Sequence, residues 1–213
     1  MPLCQACTAM LLQKAGARAS TSSLPTMDFL AFLSSVCFGI DRVKAFFNEE
    51  FTKILSTIPN ALPVCRESRK RAVRSMEGSA RESIHAFCIA IIAHIEKQLS
   101  SLQSRYDYCP KSADASILRS QMSSTVSIAC SNACKSLSTV CVSIKDYSKS
   151  LERLNLPEIF VRPFCQQLMG ILISHLRKST VSKDGALNLI RDIDEYYNVR
   201  LHIFGSVLLT KFL

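Results

Sequence analysis

Residues 113–155 read ADASILRSQMSSTVSIACSNACKSLSTVCVSIKDYSKSLERLN, and this stretch decides the fold class. Its apolar residues recur every three or four positions, as they do on the buried face of an α-helix. The series comprises Leu118, Met122, Val126, Ala129, Ala133, Leu137, Val140, Ile144, Tyr147, Leu151 and Leu154. Its ten steps span 36 residues, which gives the helical period of about 3.6 residues. The pattern predicts one long helix over residues 113–155.

The sequence on both sides of this stretch shows the same period. Upstream, the spacing predicts a helix over residues 29–54 that ends before Pro59. It predicts a second helix that begins at residue 73 and ends around residues 106–110. Downstream, it predicts helices over residues 160–175 and 187–208. The predicted buried face of the first helix comprises Phe29, Leu33, Val36, Ile40, Val43, Phe47, Phe51 and Ile54. The apolar series of the last helix comprises Leu187, Ile190, Ile193, Tyr197, Ile203, Val207 and Leu208.

The connections and helix lengths indicate the architecture. No segment alternates with a period of two for long enough to predict a strand. Long amphipathic helices joined by short connections bury their apolar stripes against antiparallel neighbours. We therefore expect an all-α fold, an elongated antiparallel bundle of long helices over residues 27–213, with a poorly ordered or short helical segment over residues 1–26. The apolar segment 201–213 predicts that the last helix packs on residues outside this chain.

Composition and motifs exclude several classes of protein. The 213 residues are 48% hydrophobic, too many for a disordered chain. The only CxxC pair, Cys4 and Cys7, lacks the second pair of ligands that a zinc site needs. His85 and His94 are nine positions apart, whereas two metal ligands on one helix face are four apart. No glycine-rich phosphate loop or nucleophile motif occurs, so we expect no enzyme activity, no metal and no cofactor.

Basic residues are concentrated in one segment. The chain carries 26 Lys and Arg against 17 Asp and Glu, a net charge of +9. Six basic residues within 65–81 form what we call the basic stripe: Arg66, Arg69, Lys70, Arg71, Arg74 and Arg81. Such a stripe is either a solvated helix face or a surface for an anionic partner, such as an acidic protein or an anionic lipid. It lacks the interleaved aromatic residues that stack single-stranded bases, so we expect no nucleic acid partner.

The last predicted helix carries the motif GALNLIRDIDEY over residues 185–196. Together with RVKAFFNEEF over residues 42–51 and ESIHAFCIAIIAHIEKQL over residues 82–99, it resembles the C-terminal helical region of the Sec-ten subunit of the exocyst, the complex that tethers secretory vesicles to the plasma membrane. Four positions match the family motif: Gly185, Asp192, Glu195 and Tyr196. Ala186 stands where the family has a second glycine.

The resemblance implies stacked helical bundles with no active site. It further implies a cytoplasmic protein, peripheral to the plasma membrane or secretory vesicles, that contacts other exocyst subunits. The Sec-fifteen type is the first such partner, and it provides an indirect link to vesicle small GTPases. Other subunits of the family mainly attach the complex to membrane, so a peripheral contact of the basic stripe with anionic membrane stays a separate hypothesis.

The motif residues have expected structural roles. Gly185 is expected to allow a tight entry into the helix. Asp192 and Glu195 lie at positions i and i+3, so one of them is expected to pair with a basic residue of a neighbouring helix. Tyr196 is expected to bury its ring and to seek one hydrogen bond for its hydroxyl.

Two hypotheses for the function follow. The first is a non-catalytic subunit of a vesicle-tethering complex, which acts in exocytosis through contacts of its helix faces with partner subunits. The second is a cationic helical module that binds anionic membrane or nucleic acid through residues 65–81. The two differ in their response to salt, because contacts with phosphate weaken steeply as ionic strength rises, whereas apolar packing does not.

Overall fold

The computed structural model describes residues 27–109, 126–147, 149 and 157–208. In these ranges the chain is helical and contains no strand, so the predicted all-α helical bundle is confirmed. The helices are α1 (Met27–Phe46), α2 (Thr52–Leu55), α3 (Ala61–Leu102), α4 (Ile128–Tyr147), α5 (Arg162–Arg177) and α6 (Ala186–Leu208). A π-helical turn, Phe47–Phe51, joins α1 to α2, and a second one, Pro157–Val161, precedes α5. The segment 1–26, with Cys4 and Cys7, lies outside the described residues.

The chain divides into two compact units. The first unit comprises Met1–Ala90 and Asp146–Phe160, and the second comprises Ile91–Lys145 and Val161–Leu213. Helix α3 contributes its residues up to Ala90 to the first unit and the remainder to the second.

An aromatic pair holds α1 against α3 in the first unit. The ring of Phe29 stacks on that of Phe87, with ring centroids 4.8 Å apart, and Phe160 packs on the other side of Phe87 at 6.1 Å. Leu33 and Ile40 of α1 are also fully buried. These positions lie on the predicted buried face, because steps of three and four residues keep side chains on one side of a helix.

The π-helical turn changes which residues the end of this face buries. Phe47 remains buried as predicted, but Phe51 and Ile54 are exposed, and so is Val43, which precedes the turn. The predicted face is wrong at those three positions. A π-helical turn contains an extra residue and shifts the register of everything after it. Leu55 is therefore buried where the α-helical period predicted Ile54.

The core of the second unit forms where α4, α5 and α6 meet. Five described positions of the predicted α4 face are confirmed, since Ala129, Ala133, Leu137, Val140 and Ile144 are all buried. The two end positions, Val126 and Tyr147, are only half-buried. Side chains of the three helices come together at one place: Leu137 from α4, Cys165, Leu168, Met169 and Leu172 from α5, and Tyr196 and Val199 from α6.

Helix α4 does not begin where the periodicity predicted. The expected start near residue 113 is wrong for a continuous helix, because Val126 and Ser127 are not helical and α4 begins at Ile128. Ser127 acts as the N-terminal cap: its Oγ accepts a hydrogen bond from the backbone N–H of Cys130 at 3.1 Å. A serine at this position satisfies an N–H that has no partner within the helix.

Residues 159–177 have the length and the mean hydropathy, 1.2, of a membrane span, and they form the one such candidate in the described part of the chain. Along this segment, however, Phe164, Leu168 and Leu172 are buried in the second unit, whereas Gln166 and Gln167 are exposed. A buried apolar stripe with an exposed polar face is the pattern of a helix in a bundle.

Candidate functional site

The motif over residues 185–196 contains a buried carboxylate, that of Asp192. Asp192 is fully buried and accepts three hydrogen bonds. Its Oδ2 accepts one from the Tyr108 hydroxyl at 2.6 Å and one from the Ser127 hydroxyl at 2.6 Å. Its Oδ1 accepts one from the backbone N–H of Ser127 at 2.9 Å. A buried carboxylate is stable only when its oxygens find donors, and Asp192 finds them in two segments far from it in sequence.

This arrangement corrects the predicted role of the two motif acids. Asp192 does not pair with a basic residue of a neighbouring helix; it binds hydroxyl and backbone donors instead. Glu195 is half-buried and makes no ion pair within the described part of the chain. We call the cluster of Tyr108, Ser127 and Asp192 the Asp192 site.

Gly185 allows the segment that carries Tyr108 to approach α6. A Cβ atom at Gly185 would lie 1.9 Å from the backbone oxygen of Tyr108 and 2.3 Å from its carbonyl carbon. These distances are far below any tolerable contact, so only glycine fits. The expected tight entry into the helix thus has a specific cause, which is the close approach of another backbone.

Further hydrogen bonds hold the Tyr108 segment in place. The backbone N–H of Ser182 donates to the Tyr108 carbonyl at 2.8 Å, and the Asn188 side chain donates to the Asp107 carbonyl at 2.9 Å. Asp107 in turn accepts a hydrogen bond from the Gln103 amide at 2.6 Å. Bonds on both sides of Gly185 therefore fix residues 103–108 against the start of α6.

Tyr196 is buried beside the Asp192 site, as the motif predicted. Its hydroxyl has no hydrogen-bond partner in the described part of the chain. Burial, followed by the neighbouring Cys130 thiol, raises the pKa of Tyr196 above its usual range. The Cys130 thiol is close enough to interact with this hydroxyl, so the expectation of one hydrogen bond stays a prediction.

Tyr108 in the Asp192 site and the neighbouring Cys130 are poor bases and nucleophiles. Burial and the hydrogen bond to Asp192 raise the pKa of Tyr108. The contact with Cys134 and burial raise the pKa of Cys130, whose Sγ lies 3.9 Å from that of Cys134. These groups keep their protons at neutral pH, so they provide neither a thiolate nucleophile nor a general base. The Asp192 site is built to hold segments of the fold together.

In the structure, four residues of the basic stripe share one side of α3, and the other two point away from it. With about 100° of rotation per residue, the exposed residues Arg66, Lys70, Arg74 and Arg81 fall within an arc of about 80° on α3. Arg71 points about 60° away from this arc, and its Nε lies 4.0 Å from Glu67. Arg69 points about 60° beyond the other edge of this arc and is only half-exposed.

Arg69 borders a groove between α1 and α3 in the first unit. Its guanidinium lies 4.5 Å from the centre of the Phe47 ring, and its Nη1 donates to Asn48 Oδ1 at 2.6 Å. Lys44 forms an ion pair with Glu77 across the groove at 3.0 Å. We call this the basic groove, and its lining residues are Lys44, Asn48, Arg69, Lys70, Val73, Arg74 and Glu77.

Sequence reasoning missed residues at both places. Nothing in the sequence indicated that Tyr108 and Ser127 bind Asp192. Ser127 could have been recognised as a helix cap, because a serine just before an apolar helical run is typical of one. Lys44 and Asn48 lie 22 and 18 positions before Arg66, the first residue of the basic stripe, so only the packing of the chain on α3 brings them to it.

A third feature is the outward face of α6. Leu187, Ile190, Ile193 and Tyr197 are between 45% and 60% exposed, and they share one side of the helix. The opposite side, with Asp192, Tyr196 and Val199, makes the core contacts. The series that the periodicity identified in this helix is thus exposed at its described positions.

Comparison with known proteins agrees with this picture. Residues 8–209 match the family model for the exocyst complex component Sec10-like, alpha-helical bundle. The exocyst complex components SEC10a and SEC10b of Arabidopsis thaliana are each 26% identical over 154 residues, which is 72% of this chain and 18% of the relative. Exocyst complex component 5 of Oryza sativa subsp. japonica is 26% identical over 185 residues, which is 86% of this chain and 21% of that protein. No solved structure matches the chain.

The fold and the buried motif define an all-α helical-bundle protein whose polar cluster serves its structure. Because the family match covers nearly all of the sequence, the chain belongs to the exocyst Sec10-like helical-bundle family. The family suggested by residues 185–196 is therefore confirmed. The chain spans about a fifth of the length of the curated relatives it matches.

Proposed function

We propose that this chain is part of a non-catalytic subunit of the exocyst and acts in exocytosis by binding another subunit through the outward face of α6. The observation that carries the proposal is the row of exposed apolar side chains on α6 in a chain that belongs to the Sec10-like family. Family membership also favours a tethering function over a cationic module that binds membrane or nucleic acid through residues 65–81.

The outward face of α6 has the chemistry of a helix–helix interface. Its four large side chains, at positions 187, 190, 193 and 197, recur at steps of three and four residues. Burial of each such side chain contributes about 1.5–3 kcal/mol, whereas exposure of all four to water is unfavourable. A row of this kind marks a surface that another apolar helix covers. The relatives are named as components of a complex, so the proposed occupant is a helix of another exocyst subunit.

The finer assignments follow the family resemblance. We propose a Sec-fifteen type subunit as the partner, an indirect link through it to vesicle small GTPases, and a cytoplasmic location peripheral to the plasma membrane or secretory vesicles. Residues 27–213 would serve as the helical-bundle region in this role. Membership of the Sec10-like family supports a function without catalysis.

Introducing charge on the outward face of α6 should abolish partner binding without unfolding the chain. In the Ile190→Asp, Ile193→Asp double variant, two carboxylates would have to be buried unpaired in the interface, which costs several kcal/mol. We expect at least a tenfold loss of co-purified subunit, about 1.4 kcal/mol or more. Both residues are exposed, so the helix content and the midpoint of thermal unfolding should stay close to those of the unsubstituted chain.

The control is Asn198→Asp, which adds one negative charge at an exposed position of α6. This position is turned about 80° from Ile190 and about 140° from Ile193 around the helix axis. The full-length protein and both variants should be purified from their own cells, and the co-purified exocyst subunits quantified. Equal recovery with the double variant and the control would refute α6 as the binding face. Recovery of no exocyst subunit by the unsubstituted protein would refute the proposed function altogether.

A further inference from the structure

Four basic residues of the basic stripe form no ion pair with an acidic residue in the described part of the chain. Arg66, Lys70, Arg74 and Arg81 are exposed and form no ion pair within the described part of the chain. Cations that serve only to solvate a helix are usually interspersed with acids that form i,i+4 pairs, as Arg71 does with Glu67. Among the described residues of the first unit, no ion pair compensates the charge of this face.

The four cations form a line and not a disc. Arg66, Lys70 and Arg74 follow one another at i,i+4 spacing, which places them about 6 Å apart along the axis of α3. With Arg81 the line is about 22 Å long. A linear array of this length matches the carboxylates of an acidic helix, which repeat at the same spacing.

The basic groove beside this line is partly pre-organised. The Arg69 guanidinium is held by the Phe47 ring and by Asn48, so less side-chain freedom is lost when it binds an anion. Planar guanidinium groups bind carboxylates with two parallel hydrogen bonds. Val73 is buried at the groove and offers an apolar floor between the charges.

One acid in the groove distinguishes between anionic partners. Glu77 lines the groove and forms an ion pair with Lys44, so one of the four lining cations is already compensated. A carboxylate inside the groove repels a multiply phosphorylated lipid headgroup, whereas a peptide that presents single carboxylates along a line can leave that position to a neutral residue.

We propose that the basic groove and the adjoining line of cations on α3 bind an acidic helical segment of a partner protein. This goes beyond the proposed function, because it concerns a second surface, in the first unit, and holds whether or not α6 binds an exocyst subunit.

The test uses the 213-residue chain and a fluorescein-labelled, alanine-based peptide of about 18 residues, long enough to form a helix, with Glu at every fourth position. The same peptide with Gln in place of Glu is the neutral probe. We expect the acidic peptide to bind, the neutral peptide not to bind, and the affinity to fall as salt is raised. Absence of binding by the acidic peptide overturns the proposal.

Two variants of equal design locate the site. Lys70→Glu with Arg74→Glu reverses two charges in the groove, and we expect at least about a tenfold loss of affinity for the acidic peptide. Arg71→Glu with Lys53→Glu reverses two exposed charges outside the groove and should change the affinity by less than about threefold. Equal losses would show attraction by overall charge only and would overturn the proposal.

Two further measurements test whether the variants fold and whether the partner is a membrane. Lys70→Gln with Arg74→Gln removes the charges without introducing new ones, and it should also weaken binding if the reversal variant is unstable by circular dichroism. Vesicles of phosphatidylcholine and phosphatidylserine in equal amounts test a membrane partner. Vesicle binding that depends on Lys70 and Arg74, without peptide binding, would overturn the proposal in favour of a lipid surface.

Discussion

Replacement of Asp192 by alanine should lower the free energy of unfolding by about 3–5 kcal/mol, because it leaves several buried donors without an acceptor. The Tyr108 hydroxyl, the Ser127 hydroxyl and the Ser127 backbone N–H all donate to this one side chain at 2.6–2.9 Å. Urea unfolding followed by circular dichroism measures the loss.

The control for this variant is Asp194→Ala, two positions away on the same helix and exposed. Its effect should stay within about 0.5 kcal/mol. Tyr108→Phe removes only one of the three hydrogen bonds and should cost about 1–2 kcal/mol. Combining Tyr108→Phe with Asp192→Ala should cost less than the sum of the two, since both remove the same bond. Additive losses, or an Asp192→Ala variant as stable as Asp194→Ala, would refute the Asp192 site as a structural cluster.

The Gly185→Ala variant should lose about 3 kcal/mol or more, because its methyl group cannot fit without displacing a backbone. The added Cβ would lie 1.9 Å from the Tyr108 carbonyl oxygen, and that carbonyl accepts the hydrogen bond from Ser182. Relief of the clash therefore requires separating residues 103–108 from α6, which also weakens the bond that Asp192 accepts from Tyr108.

Gly170→Ala is the matched control, since a Cβ at this helical position meets nothing within 4 Å. In the interior of a helix, alanine is favoured over glycine by about 0.5–1 kcal/mol. The same substitution should therefore stabilise the chain at position 170 and destabilise it at position 185. Similar effects at the two positions would show that the close approach at Gly185 does not contribute to stability.

The fold class could be predicted because its determinants are local in sequence. Steps of three and four apolar residues predicted α1, α3, α4 and α5, and the buried residues Phe29, Ile84, Leu137 and Leu168 lie where the period places them. The errors occur where one residue breaks the period. A π-helical turn buried Leu55 in place of Ile54, and the capping of Cys130 by Ser127 set the start of α4.

The Asp192 site could be predicted only in part, because its partners are distant in sequence. The motif identified Asp192 and Tyr196, yet the hydrogen bonds to Asp192 come from residues 84 and 65 positions away. The helical period also identified Ile190 and Ile193 as the apolar series of α6, because these residues are apolar. In the structure the opposite side of α6, with Asp192, is buried. The burial of Asp192 depends on hydrogen-bond donors that only the assembled fold supplies.

The same limit applies to the basic groove. The six basic residues could be recognised from the sequence as one stripe. Which of them line the groove depends on how α1 and the turn after it pack on α3. This packing brings Phe47 and Asn48 to Arg69, leaves Lys70 and Arg74 in the groove, and leaves Arg71 outside it. Side-chain chemistry was predictable from sequence, whereas the partners of each cation were not.

Photo-cross-linking from α6 tests the proposed interface most directly. The full-length protein, with benzoylphenylalanine in place of Ile193, should be irradiated in its own cells and the cross-linked products identified by mass spectrometry, with the same label at Asn198 as the control. We expect a cross-link from position 193 to another exocyst subunit, and much less product from position 198. Cross-links from position 193 that stay within the protein's own polypeptide, or no product there, would contradict α6 as the face that binds a partner subunit.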